Sequence, residues 1–423
     1  MKDFTLIKEN INKESNTLLK NRKNKVYNSI KNALNFYNEE YKFSPLLKRV
    51  SKKFDILNSI PNIDTKASFN NDLLKKYKKQ FSIITINGIF QKNISKIPSG
   101  LQVNVYNDLN KDEKKTFHKS FNNQDDSNND IFTSINTINY KESLIIKINK
   151  NYSSKEHINI LNFLNSKSVN HLRKLIVCNP NSKATFLEEI INMSSNENFS
   201  TSVTEIFQEE NSEIEYFTLQ NNPNDFHFNS INISQKQNSI SNCFTFSYSG
   251  ALVRNNLNIE LKDKNCYANM YGFYALKNNS HVDNHTTVDH IDENSISNEH
   301  YKGIMDGNSN GVFNGKIFVR KKAQKTNAFQ SNNNILLSDN AKVNTKPQLE
   351  IWADDVKCSH GCTVGQLDEE AMFYLMSRGI PKNKAITILL GAFFEEILEK
   401  IENDFIKEKI KNITEKQLEY FAL

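Results

Sequence analysis

Tryptophan occurs once and cysteine only five times in 423 residues. Five cysteines cannot all pair with one another, and their spacing lays out no disulfide framework, so a reducing compartment is expected. The N-terminal stretch MKDFTLIKENINKE lacks the apolar core of a signal peptide. The longest apolar run, Ile386 to Phe394, is far too short to cross a bilayer. A cytoplasmic protein without a membrane partner is the expectation. No stripe of Arg and Lys interleaved with aromatics appears, so no nucleic-acid partner is expected. The formal charge of +6 comes largely from Lys, which is abundant together with Asn throughout and fits an AT-rich coding bias. No G-x-S-x-G or other nucleophile motif is present, which leaves a hydrolase without a visible nucleophile. Gly311 to Lys316 is one residue short of a phosphate loop. It carries Ile317 where Ser or Thr would hold Mg²⁺, and it leads into a strand-like run. What remains is long enough for two or three domains with a substantial core. At 38% hydrophobic residues and a mean hydropathy of −0.61 it sits at the polar end of globular proteins.

Residues 4–40 carry Leu18, Leu19, Val26, Ile30, Leu34 and Tyr37 at helical spacings. The pattern breaks at Ser44-Pro45, since a residue before Pro avoids the helical region. Residues 1–80 are therefore expected to form a helical N-terminal domain. From residue 81 the period changes. FSIITINGIF (81–90) has strand composition and an Asn-Gly turn. Residues 107–135, rich in Asn, Asp and Lys, read as a flexible insertion. Short β-branched or apolar runs then recur every ten to fourteen residues, among them SLIIKI (143–148), EIEYFTL (213–219), CFTFSYS (243–249) and GKIFV (315–319). Almost nothing in this region has helical period except NILNFL (159–164). A sandwich, a barrel or a parallel β-helix fits that rhythm. Two features favour the β-helix over 81–350: few tight hairpin signals follow Asn87-Gly88, and Asn at strand ends can stack as side-chain ladders between coils. In the tail, Asp368 caps a helix from Glu369 to Arg378 with Gly379 just past its end, and Pro381 suits the first turn of the next. There Ile386, Leu389, Leu390, Phe393, Phe394, Ile397, Leu398 and Ile401 form an apolar stripe. Packing within the chain is its default use, partly as a cover over the open end of the β region; a surface for a partner helix is the alternative.

Between them lies KPQLEIWADDVKCSHGCTVG (346–365), which holds the only Trp. In an extended chain Cys358, His360 and Cys362 project to one side and Asp355 and Lys357 to the other. Two thiols and an imidazole suit Zn or an Fe–S cluster and not Mg or Ca. Three donors do not complete a tetrahedral site, and C-x-H-x-C is far less specific than paired C-x-x-C; an ordinary polar turn with two inert thiols is the plain alternative. In a second cluster, His281, Asp283, His285, Asp289 and His290, the Thr-Thr-Val context favours a strand with His281 and His285 on one side, and a polar β turn with surface histidines is the plain reading. Cys178, Cys243 and Cys266 fall in or beside apolar runs and read as packing residues.

Several stretches resemble the SufB/SufD family, scaffolds of SUF iron–sulfur cluster assembly. They are HVDNHTTVDH (281–290), YKGIMDG (301–307), GVFNGKIFV (311–319), AQKTNAFQSNNNILLS (323–338) and KPQLEIWADDVKCSHGCTVGQLDEEAMFYLMSRGI (346–380). Weaker likeness reaches RNNLNIEL (254–261) and SVTEIF (202–207), and NEEYKFSPL (38–46) is similar to an N-terminal family signature with Tyr41 in place of Trp. DDVKCSH, and the absence of E-H-E-A-T-T-S, place the likeness on the D side of the family. The resemblance implies a mainly β chain, a right-handed parallel β-helix core flanked by N- and C-terminal helical domains, with residues 351–423 carrying an interface loop and ATPase-docking helices. It implies a non-catalytic scaffold subunit working with a SufB-like paralogue and the SufC-like ABC-type ATPase. Cys358 and His360 would hold a transient cluster or iron shared with the paralogue, and Phe373, Tyr374 and Arg378 would lie where the ATPase docks. The complex is also associated with reduced flavin, for which no residue can be assigned here. The family usually has Ala at Cys362, so this thiol is either a third metal ligand or a tolerated small residue beside Gly361; the second is favoured. A purely structural interaction subunit with an inert ledge is the main alternative. A β-helix enzyme acting on polysaccharide is a weaker one, because no row of carboxylates is legible.

Overall fold

The computed structural model describes residues 5–14, 16–33, 41–56, 77, 80–111, 114, 130–154, 156–164, 169–193 and 197–422. Its centre is a parallel β-solenoid of about seven turns, as the recurrence of short strands and the scarcity of hairpins predict. Each coil gives one strand to each of two ladders. The first ladder runs in register through Ser82–Ile86, Ile158–Leu164 and Lys183–Asn192. It continues through the front halves of Glu213–Gln235 and Ile240–Leu261 into Tyr267–Leu276, Ile296–Met305, Thr326–Leu336 and Val356–Gly365. The second runs from Ser143–Ile148 through Val169–Cys178, Phe199–Gln208 and the back halves of the same two long strands. It ends in His281–His290, Asn310–Val319 and Lys342–Ile351. NILNFL, which has helical period, is a strand: its apolar residues are buried on both faces, so alternation is hidden and only pairing decides.

Coils are closed by residues in the left-handed region, Asn151, Asn181, Asn211, Asn238, Asn265, Asn294 and Lys325, with φ between 57° and 61°. Asn tolerates that conformation better than other side chains. Their amides stack from coil to coil: Asn181, Asn211, Asn238 and Asn265 each donate to the Asn one coil earlier, at 2.9–3.1 Å. This is the ladder expected from Asn at strand ends. The antiparallel hairpin Ser82–Ile86/Ile89–Phe90 turns at Asn87 and Gly88, both at positive φ, as its Asn-Gly signal requires.

Inside, Ile146, Ile160, Ile176, Phe186, Tyr216, Val288 and Phe313 belong to one continuous apolar cluster. Outside the second ladder, helices Thr5–Asn12, Thr17–Ala33 and Leu46–Val50 share a cluster with Ile131–Asn139 and Phe199, Phe226 and Phe228. Leu19, Val26 and Ile30 are buried as their spacing predicts. Leu34, Tyr37 and residues 115–129 of the expected insertion lie outside the described residues. The end of that stretch is an ordered helix, capped by Asp130, whose carboxylate accepts from the Phe132 N–H. Its Phe132, Ile135 and Ile138 are buried, so apolar spacing prevails there over Asn-rich composition.

The tail forms helices Glu369–Ser377, Lys382–Leu398 and Asp404–Phe421. Asp368 accepts from Ala371 N–H and Gly379 follows at φ 84°, as expected. Pro381 is the N-cap of the second helix. The apolar stripe packs within the chain, but not over the end of the solenoid. Leu390, Phe394, Ile397 and Leu398 join Phe217, Phe244, Phe246, Tyr248 and Phe273 on the outer face of the first ladder. The wide apolar flank of that ladder is what the stripe covers.

Candidate functional site

The solenoid runs to Gly365, and the expected interface loop after residue 350 is its last strand. Val356–Gly365 pairs in register with Thr326–Ile335, so Cys358, His360 and Cys362 stand beside Ala328, Gln330 and Asn332. Those three are buried inside the solenoid, and in-register parallel neighbours share a face. The three donors thus lie on the inner face of the terminal rung. Val356–Gly365 and Lys342–Ile351 each pair along one edge; among the described residues no strand pairs with the other. Both ladders therefore end at one open mouth.

Three large apolar side chains stand exposed among the polar residues near that mouth. Trp352 and Val364 are each 49% exposed and Ile351 is close behind. Trp352 stacks on Phe318 with centroids 6.3 Å apart, and the Arg320 guanidinium lies 5.1 Å from both rings. Arg320 is fixed in turn by two bonds to Asp289, at 2.8 and 2.7 Å.

Cys358 is half-buried against Ile317, Val319, Ala323 and Ala328. Burial pushes its thiol above the ordinary value, offset in part by a hydrogen bond from the Ala328 backbone. His360 and Cys362 are exposed. Alternate residues on a strand are about 6.6 Å apart, too far for all three to hold one ion. Consistent with this, among the described residues no group of three His, Cys, Asp or Glu is placed to bind a metal. The donor set is chemically right for iron or a cluster and geometrically incomplete.

The second histidine cluster is neither a turn nor a surface. His281–His290 is a strand of the second ladder. His281 and Asp283 are buried under the N-terminal segment, where His281 meets Ser44 at 2.8 Å. Asp283 takes Arg254 at 2.7 Å and His285 at 3.0 Å. Its carboxyl is held far below the usual carboxylate range by the nearby Arg254 and His285 charges, against the cost of burial. His290 points inward onto Ser297 at 2.9 Å. These residues pin the segment from Tyr41 to Val50; the Pro45 break gives the signal that such a segment folds back. A cavity of about 520 Å³ beside them, lined by Lys42, Phe43, His285, Lys316 and Lys346, does not include the terminal donors. Cys178, Cys243 and Cys266 are buried as expected, and burial raises the Cys243 thiol to about 12.

Phe373, Tyr374 and Arg378 all lie on the helix Glu369–Ser377 or its cap, which has no buried residue. Phe373 is 75% and Tyr374 57% exposed, and Arg378 covers the Tyr374 ring at 5.2 Å. Residues that sequence reasoning missed sit beneath the mouth: Glu299 and Gln330, buried in the same inner column as His360. Their signal is the run of polar residues at inward positions of 326–334.

The profile of the SUF system FeS cluster assembly SufBD core domain matches residues 162–393, more than half of the chain. An iron–sulfur cluster assembly SufBD family protein of Synechocystis is 29% identical over 86% of this chain and 83% of the relative. The iron–sulfur cluster assembly protein SufD of Escherichia coli is 32% identical over 57% of each chain. Protein ABCI7, chloroplastic, of Arabidopsis thaliana is 26% identical over 81% of this chain and 75% of the relative. No helix among the described residues is long and apolar enough to cross a membrane. By the extent of that match, with the solenoid and its terminal donors, the chain belongs to the SufBD family of the SUF iron–sulfur cluster assembly system.

Proposed function

We propose that the chain is a non-catalytic scaffold subunit whose last rung supplies Cys358 and His360 to a nascent iron–sulfur cluster, completed by a SufB-like paralogue closing over the open mouth. One observation carries this reading: the soft donors lie on the last rung, beyond which no strand or helix of the described residues packs. An apolar rim around an unpaired sheet edge is what a partner strand or coil would cover. The cluster is cargo here, assembled and passed on. The bare helix Glu369–Ser377 offers Phe373, Tyr374 and Arg378 to a SufC-like ABC-type ATPase, an aromatic and Arg group of the kind that dominates interfaces. In this reading the helical N-terminus braces the solenoid, and residues 351–423 carry both partner surfaces. Nucleotide hydrolysis in the ATPase would reach the mouth through them.

Anaerobic reconstitution with iron and sulfide, on this chain alone and mixed with the paralogue, tests it. Visible absorption in the mixture only is expected. His360→Ala should lower that signal at least tenfold while the complex still forms, because an exposed donor is lost and no core. Cys358→Ser should cost less, with the imidazole obligatory and the thiol assisting; an equal or greater loss reverses those roles. Full cluster yield from His360→Ala overturns the reading and favours an inert structural ledge.

A further inference from the structure

Below the mouth the solenoid interior holds a polar column where apolar residues would be the ordinary filling. Going inward from His360, the in-register neighbours are Gln330, Glu299 and Met270. Gln330 and Glu299 are each 3% exposed. Gln330 Nε2 donates to Glu299 Oε2 at 2.7 Å, and Thr286 bonds the other carboxyl oxygen from the facing ladder. The Gln330 amide is also fixed by shape. A Cβ on Gly315, in the opposite ladder, would stand 2.0 Å from Gln330 Nε2, so glycine there makes the space the amide fills. One atom of this column has no partner: Gln330 Oε1 is buried and accepts nothing. A buried amide carbonyl left so is desolvated without compensation. The next residue outward on the same face is His360, on a strand one ladder step of about 4.8 Å away.

We propose that Gln330 is a positioning residue for His360: its Oε1 has no donor in the structure as it stands, and the imidazole turns its proton-bearing nitrogen onto that oxygen, so one tautomer is selected and the other nitrogen is presented, with its lone pair, to the open mouth. The proposal rests on the reading of His360 as a cluster donor. Metal-binding imidazoles are commonly oriented through the nitrogen that does not bind. Here the orienting group is itself anchored to Glu299 and Thr286, so ring direction is set from inside the solenoid before any iron arrives. Gly315 belongs to the same device, although it lies in another strand.

Two-bond ¹H–¹⁵N correlation spectra of the iron-free chain, labelled at histidine, read the tautomer directly at pH 8. His360→Asn assigns the signal among the nine histidines. The wild-type chain should show His360 as a single neutral tautomer. Gln330→Met, which keeps the volume and removes the carbonyl, should give the mixed pattern of a free imidazole. Gly315→Ala should do the same by pushing the amide aside. In reconstitution with the paralogue, Gln330→Met should lower cluster yield several-fold. A mixed tautomer in the wild-type chain, or an unchanged one in a folded Gln330→Met, overturns the proposal. The spectra involve no iron, so a His360→Ala variant with full yield would remove the cluster reading and leave the tautomer result standing.

Discussion

A carboxyl group sealed inside a solenoid is costly when charged, and Glu299 shows the consequence at the scale of one residue. Burial raises it to about 7 from an ordinary 4.5, while its bonds with Thr286 and Gln330 pull the other way. The folded chain therefore keeps a proton that the unfolded chain gives up near pH 4.5. Stability present below that pH is lost progressively as pH rises through 7, by about 3 kcal/mol in all. Glu299→Gln should remove this dependence. Urea denaturation should find wild type and variant alike near pH 4.5, with the variant more stable by about 3 kcal/mol at pH 8. Equal pH dependence in both would place the carboxyl in contact with solvent. Glu188 behaves differently although it is just as deep. The Lys174 ammonium at 2.6 Å, with bonds from Tyr216 and Asn162, overcomes burial and lowers it. Two buried glutamates in one interior thus differ because one has a cation and the other has only neutral partners.

At the scale of the element, the coil-closing turns carry much of the fold's specificity. Asn238 sits at φ 57°, donates to Asn211 and accepts from Asn265. Asn238→Ala should cost about 2 kcal/mol, combining a left-handed alanine with a broken ladder. Asn238→Gly should cost less, because the turn survives. Lys325 occupies the same turn position at φ 57° without a ladder bond, so Lys325→Asn should stabilise by about 0.5–1 kcal/mol in chemical denaturation. A destabilised Lys325→Asn would show that the lysine serves some contact the turn geometry does not reveal. Much of this was legible beforehand: strand recurrence, the Asn ladder, the Asn87-Gly88 hairpin and the Asp368 cap all follow from local chemistry. What was not legible depends on pairing at long range. Alternation is masked in NILNFL by burial on both faces. The histidines of His281–His290 look like surface residues until Tyr41–Val50 folds over them. The terminal rung reads as a loop because its polar residues have no coil beyond them. The inner column from Glu299 to His360 spans some sixty residues of sequence, and only the register brings it together.

For the whole molecule, the described helices lie along the flanks and none packs over the last rung, and the proposed function divides the work between two exposed surfaces. Val364 shares the inner face of the last rung and is 49% exposed, whereas Phe373 is 75% exposed on a helix with no buried residue. Neither side chain contributes much to the isolated chain, and surface substitutions of this kind change stability by about 0.5 kcal/mol or less. Their effects should appear only on assembly. Val364→Glu would place an unpaired carboxylate under whatever closes the mouth. It should weaken binding of the SufB-like paralogue at least tenfold while leaving ATPase binding within about twofold. Phe373→Ala removes an aromatic anchor worth about 2 kcal/mol, so affinity for the ATPase should fall about thirtyfold with the paralogue unaffected. Titration of each labelled variant against each partner separately, with circular dichroism to confirm the fold, gives a two-by-two comparison. If both substitutions weaken both partners equally, the end and the helix form one continuous interface, and the division of surfaces drawn from the uncovered rung is wrong.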